Sequence, residues 1–274
     1  MSTQQPKPAA KPAATEKKSG GISAGLILIV LFAIAIAIYT LVMGDGSHFE
    51  GGTNEGHPLP GDYFGVVYKG GVIVPVLMTC FLTALTFSIE RLFTIGKAKG
   101  TGDVNAFVRS VQASLDKDDV EGALKACDKQ KGSLANVIRA GLEKYESVQK
   151  DPTLDKEQKA EVIKTEIEEA ISLELPMMSK NLVIISTCVS VGTLIGLIGT
   201  VLGMIKSFQA MGAGTPDTTK LSIGISEALI NTFLGIFAST LATIMYNFFN
   251  TKIDQMTHAM DEAGFAIVQT FNAN

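Results

Sequence analysis

Glu227 is the single charged residue in an apolar run from 221 to 249, and that isolation is the first chemical fact about this chain. A carboxyl group near the middle of a bilayer costs about 2.5–3.5 kcal/mol on insertion scales, so it persists where it has a use or a partner. Removal from water penalises its charged form, which prepares an acid to take up and release a proton. Asn231 follows at i+4 on the same helix face, whereas Thr232 lies about 140° around the helix from Glu227. For Glu227 and Thr232 to line one conduit, their helix must be wedged between neighbours, as in a closed ring. A second apolar run carries Thr193 and Thr200, two helical turns apart and therefore on one face. Their hydroxyls either line a polar seam or bond back to carbonyls of their own helix, and spacing alone leaves both readings open. Asn231 and Thr193 are further candidates for a pore lining. Lys206 and Lys220 stand at the ends of these runs, where they reach inward at most by snorkelling. The sequence thus presents Glu227 as a titrating acid, with a protonated structural glutamic acid as the alternative.

The elements that must position these residues are membrane helices. The chain has 274 residues, 46% hydrophobic and 18% charged, and a mean hydropathy of +0.28, too apolar for an ordinary soluble domain. Apolar runs predict spans at 22–43, 72–93, 182–212 and 221–249. Residues 1–21, with four lysines against one glutamate, read as a disordered tail on the cytoplasmic side. The first span is read as a retained anchor, because its length exceeds a signal-peptide core. Residues 44–71 form an acidic, Gly-rich outer loop whose Phe49, Tyr63, Phe64 and Tyr68 suit an interface. Arg91, Lys97 and Lys99 mark the inner end of the second span. Both termini then lie inside, and a turn at 213–220 makes the last two spans an antiparallel hairpin with its tip outside. Gly192, Gly196, Gly199 and Gly203 form two small-xxx-small pairs, a spacing that lets helix backbones approach closely, and they predict contacts between subunits.

Residues 94–181 read as an inner helical domain. Apolar stripes at Val104, Phe107, Val108, Val111 and Leu115, at Val120, Ala123, Leu124 and Cys127, and at Leu134, Val137, Ile138 and Leu142 follow helical spacing. Asp118 or Asp119 caps the second of these helices, and a further helix begins near Asp155 and runs toward the third span, with Pro176 expected to kink or interrupt the join. Residues 250–274 extend the last span as an amphipathic helix, its Ile253, Met256, Met260, Ile267 and Phe271 aimed at the inner domain. The fold class is all-α, a polytopic membrane protein whose long transmembrane helices reach into a helical cytoplasmic domain. Net charge of −4 with no basic block argues against nucleic acid. Cys80, Cys127 and Cys188 read as buried thiols, and the spacing of His48, His57 and His258 suggests no metal site. No nucleophile–base pair or nucleotide loop suggests an enzyme, and no cofactor is called for.

Three stretches carry a family resemblance: "SIERLF" (Ser88–Phe93), "LIGLIGTVLGMIKSF" (Leu194–Phe208), and "GISEALINTFLGIFAS" (Gly224–Ser239) followed by "YNFF" (Tyr246–Phe249). With "DDVEGALKAC" in the inner domain, they resemble the MotA/TolQ/ExbB proton-channel family, most closely its ExbB branch. The resemblance places the family's intramembrane acid on Glu227 and its pathway threonines on Thr200 and Thr232. It implies a homo-oligomeric ring, a pentamer, in a bacterial inner membrane. The ring surrounds helices of a single-span ExbD-like partner and transmits proton-driven movement to a TonB-like protein serving outer-membrane transporters. A TolQ-like role in envelope maintenance, or a scaffold whose Glu227 never cycles, are the alternatives. The apolar segment before Val72 departs from the three-span pattern of the family.

Overall fold

The computed structural model of the chain describes residues 24–117, 119–212 and 218–273, and these are overwhelmingly helical. The expected tail at 1–21 and most of the turn between the last two spans lie outside the described residues. Helix α1 (Ala24–Ala37) widens at its end into a π-helical stretch, Ile38–Met43. After the outer segment and the short α2 (Tyr63–Tyr68) come α3 (Val74–Lys99), α4 (Val104–Leu115), α5 (Val120–Gln130), α6 (Gly132–Gln149), α7 (Lys156–Ser179), α8 (Leu182–Gly212) and α9 (Thr218–Ala273). Four stretches are long and apolar enough to cross a membrane, within Ala24–Met43, Gly71–Leu115, Leu182–Gln209 and Thr218–Ala273. Much of their apolar surface is exposed on the single chain: Leu197, Ile198, Val201, Phe233 and Phe237 are all at least half exposed, as suits contact with lipid or with neighbouring protein.

The inner domain forms where its stripes predict. Phe107, Val111 and Leu115 of α4, Ala123 and Cys127 of α5, and Leu134, Ile138 and Leu142 of α6 are buried in one core with Ile163 and Ile167 of α7. Burial pushes the Cys127 thiol up to about 11, as expected of a thiol enclosed by apolar neighbours. Asp103 caps α4 through the Ala106 amide, and Asp119 caps α5 through that of Gly122. Asp155 and Gln158 start α7 with a reciprocal capping box, satisfying two amides that the helix cannot.

Residues 250–273 continue α9 without interruption and lie on α4, α6 and α7 of the same chain. Ile167 is wedged between two glycines there. A methyl group on Gly141 would stand 2.7 Å from Ile167 Cγ1 and 3.3 Å from Ile267 Cδ1, and one on Gly264 would stand 2.8 Å from Ile167 Cγ2. Gly141→Leu should therefore overpack this junction at a cost of about 1–3 kcal/mol, seen as a lowered melting temperature of the purified protein. An unchanged melting temperature would show that the junction is looser than its geometry.

At the base of the spans Pro176 lies inside α7 and does not end it, and the chain turns at Lys180–Asn181, where Asn181 takes a left-handed φ of 63°. Asn tolerates that conformation better than most residues. Arg91, one of the charges read as marking the inner end of the second span, is buried in the single chain. It is 2% exposed and donates to the carbonyls of Met177 (3.3 Å) and Met178 (3.2 Å) at the end of α7, as well as to Glu90. A guanidinium with its five donors satisfies helix-end carbonyls that α7 leaves unbonded, so the charge serves the join between α3 and α7.

The segment from 44 to 73 is ordered by long-range contacts. Tyr39 stacks on Tyr68 at 4.6 Å and donates to its carbonyl, Phe49 is buried, and Lys69 donates to the carbonyls of Asn54 and Glu55. Tyr63 and Phe64 are exposed, whereas Phe49 is inside rather than at an interface. Asp62 caps α2 through the amides of Phe64 and Gly65 and accepts from His48 Nδ1 at 2.7 Å. The His48 hydrogen bond first, then these amides, hold the Asp62 carboxyl below its usual range. A depressed carboxyl contributes stability above the ordinary range and loses it as pH falls through the folded value. Hydrogen exchange of 45–66, taken relative to the intrinsic rate at each pH, should thus accelerate in acid, below about pH 4. Asp62→Asn should accelerate it already at neutral pH and flatten the acid response; an unchanged acid response in that variant would assign the effect elsewhere.

Candidate functional site

Helices α8 and α9 pack antiparallel through small residues. A methyl group built on Gly192 would stand 2.7 Å from Ser239 Oγ; on Gly196, 3.1 Å from the Gly235 Cα; on Gly203, 2.8 Å from Ala228 Cβ. On Gly199 it would collide with the Asn231 side chain. The four glycines are buried against α9 of their own chain. This corrects the expectation of subunit contacts there: the glycine face closes the hairpin, and the residues exposed on α8 are the larger Leu194, Leu197, Ile198 and Val201.

That close approach fixes where the polar side chains go. Thr193 donates to Ser239 Oγ at 2.9 Å, across the α8–α9 seam. Thr232 reaches the Gly196 carbonyl at 3.4 Å, which the absence of a side chain at Gly196 leaves open. Thr200 bonds back to the Leu197 carbonyl at 2.6 Å. Asn231, 1% exposed, donates through Nδ2 to the Gly70 carbonyl at 2.9 Å, and its Oδ1 has no hydrogen-bond partner among the described residues. Asn231 is therefore an internal tie between α9 and the outer segment within the single chain. Among the described residues no hydrogen bond joins Glu227 to Thr200 or Thr232.

Glu227 has a partner that spacing did not reveal. Lys206 Nζ donates to Glu227 Oε1 at 2.7 Å; the Lys206 side chain is 57% exposed and that of Glu227 only 13%. The sequence expectation of an unpaired acid is corrected by this pair. Each charge lowers the other's cost of leaving water, and the hydrogen bond between two ions is of the stronger kind. Gly71 closes the site from the outer side. Its φ of +79° favours glycine, and the place a Cβ would take is occupied by the Glu227 carboxylate. Gly71 also begins the helical course into α3, so the carboxylate stands at a helix start, where the aligned peptide dipoles favour negative charge. The arrangement is a mostly enclosed acid paired with a half-exposed lysine and, one turn along α9, an acceptor at Asn231 Oδ1 with no hydrogen-bond partner among the described residues.

Comparison with known proteins agrees with the order of these elements. Residues 129–262 match the MotA/TolQ/ExbB proton channel family. The Tol-Pal system protein TolQ of Pseudomonas aeruginosa is 24% identical over 194 residues, 70% of this chain and 84% of that protein. The biopolymer transport protein ExbB of Aquifex aeolicus is 31% identical over 117 residues, 42% of this chain and 71% of that protein. The biopolymer transport protein ExbB of Helicobacter pylori is 36% identical over 90 residues, 32% of this chain and 60% of that protein. The family match takes in α8, both Lys206 and Glu227, and most of α9, and leaves α1, α3, α4 and the 44–73 segment with Gly70 and Gly71 outside it.

Proposed function

Since the chain belongs to the MotA/TolQ/ExbB proton channel family, a family of membrane channels rather than enzymes, we propose that Glu227 is the group through which it passes protons. The carrying observation is a carboxylate enclosed in a membrane helix, paired with a lysine whose side chain is more than half exposed and so is free to leave. In one state Lys206 compensates the ionised acid. When Glu227 takes up a proton the ion pair is lost, Lys206 swings toward water, and the new O–H is a donor for Asn231 Oδ1 at i+4. Thr232 and Thr200 border the seam and tune the path by hydrogen bonding without themselves titrating near neutral pH.

The fuller reading is an ExbB-like stator. Copies of the chain form a ring, a pentamer in the bacterial inner membrane with both termini cytoplasmic, around an ExbD-like single-span partner. Proton movement drives a TonB-like protein that energises outer-membrane transport. The TolQ relative, covered over most of its length, keeps the envelope-maintenance branch as a second reading. A scaffold reading also gains from the structure, because a fixed Lys206–Glu227 pair needs no proton traffic.

Reconstitution decides between channel and scaffold. Proteoliposomes holding the chain with its co-purified partner should acidify when a proton gradient is imposed, and vesicles with the chain alone should not. Lys206→Met should weaken this flux and Lys206→Arg should keep most of it. If no partner-dependent flux appears with the complex intact, the scaffold reading stands.

A further inference from the structure

We propose that the cavity between the inner ends of α3 and α9 binds the headgroup of an ethanolamine phospholipid. The cavity has a volume of about 590 Å³ and lies where the apolar parts of these two helices give way to the inner domain. Each wall begins apolar, passes a lysine and ends at an acid. Along α3 the wall is apolar at Leu92 and Ile95, cationic at Lys99, and acidic at Asp103, which opens α4. Along α9 it is apolar at Phe248 and Phe249 and cationic at Lys252, then mixed through Gln255, Met256, His258 and Ala259, and acidic at Glu262. A phospholipid with an ethanolamine head reads in that order from membrane to water: acyl chain, phosphate, ammonium.

The two cations are held so as to face a ligand. Lys252 Nζ stands 5.8 Å from the centre of the Phe248 ring and 3.4 Å from Gln255 Oε1, contacts that position the ammonium at the apolar border without neutralising it. Lys99 is anchored through its carbonyl, which accepts from Gln130 Nε2 at 2.9 Å, and its ammonium has no hydrogen-bond partner among the described residues. Asp103 spends one carboxylate oxygen on the α4 cap and keeps the other for a ligand. Basic pockets between membrane helices recognise lipid phosphate. The acids behind the lysines add the discrimination, because they oppose a purely anionic head and attract an ammonium.

The test uses the full chain in its assembled, detergent-extracted form, exposed to vesicles of phosphatidylethanolamine, phosphatidylcholine or phosphatidylglycerol, with retained lipid counted by native mass spectrometry. Phosphatidylethanolamine should be retained over phosphatidylcholine by about tenfold, about 1.4 kcal/mol, because a primary ammonium donates hydrogen bonds to the acids and a trimethylammonium has none to donate. Lys99→Ala with Lys252→Ala should lower retention of all three lipids together, since each carries the phosphate. Asp103→Asn, which keeps a capping side chain, combined with Glu262→Gln should raise phosphatidylglycerol to the level of phosphatidylethanolamine. If the lysine variant does not fold, the acid variant alone carries the test. Preference of the unaltered protein for phosphatidylglycerol would overturn the proposal, as would retention no greater than that of phosphatidylcholine, the result expected if a neighbouring copy fills the cavity. None of these readouts depends on proton passage.

Discussion

Glu227→Gln abolishes proton-driven transport while leaving the complex assembled. Glutamine keeps the size of the side chain and its capacity to meet Gly71 and α8, and it removes both the titrating proton and the charge that Lys206 compensates. The measurement is transport, or partner-dependent proton flux, with assembly followed separately by co-purification of the partner. Glu227→Asp shortens the reach to Lys206 by one methylene and should retain a fraction of activity. Thr200→Val and Thr232→Val, at nearly constant volume, should weaken coupling without ending it. Normal transport by an intact Glu227→Gln complex would leave the acid a structural half of an ion pair and remove it from the pathway.

Gly199→Leu is expected to be the most damaging single change to the fold of the membrane part. At Gly199 even a methyl group collides with Asn231, and Asn231 in turn ties α9 to the Gly70 carbonyl. A leucine must separate α8 from α9 or displace Asn231, leaving a buried amide without its partner. Overpacking costs about 1–3 kcal/mol, and an orphaned buried polar group about 1–3 kcal/mol more. Because the glycine faces its own chain, the expected outcome is a loss of folded protein, read as extraction yield and melting temperature. A stable protein that merely runs as a smaller oligomer would return Gly199 to a subunit contact.

The parts that were legible in the sequence are those governed by local periodicity. The stripe from Phe107 to Leu115 is buried, Asp119 and Asp155 cap the helices they precede, and Ile253, Met260 and Ile267 lie on the inner domain. What escaped was set by register between distant segments. Lys206 and Glu227 meet because the hairpin pairs the end of α8 with the start of α9, and both lie within about three turns of its tip. Counting outward from the turn was the one signal that pointed to the pair. Asn231 resembled a pore residue because i+4 spacing puts it on the face of Glu227, but the 44–73 segment covers that face, and nothing local in a Gly-rich loop announces where it will dock. The bonding of Arg91 to the Met177 and Met178 carbonyls was hidden in the same way, since it depends on a helix end 86 residues away.

Helix α9 runs for 56 residues without a proline, from beside the outer segment to the far side of the inner domain. At the rise of an α-helix that is about 84 Å of continuous rod. A rod of this length is a lever whose arms are unequal in setting: the end near Glu227 is held by Gly70 and α8, the other by Ile167, Gly141 and Tyr145. A tilt of about 5° at the first would displace the second by about 7 Å, more than one helical turn's worth of side-chain register. A change at Glu227 that tilted its end of α9 would, through this one helix, be delivered as displacement against α4, α6 and α7.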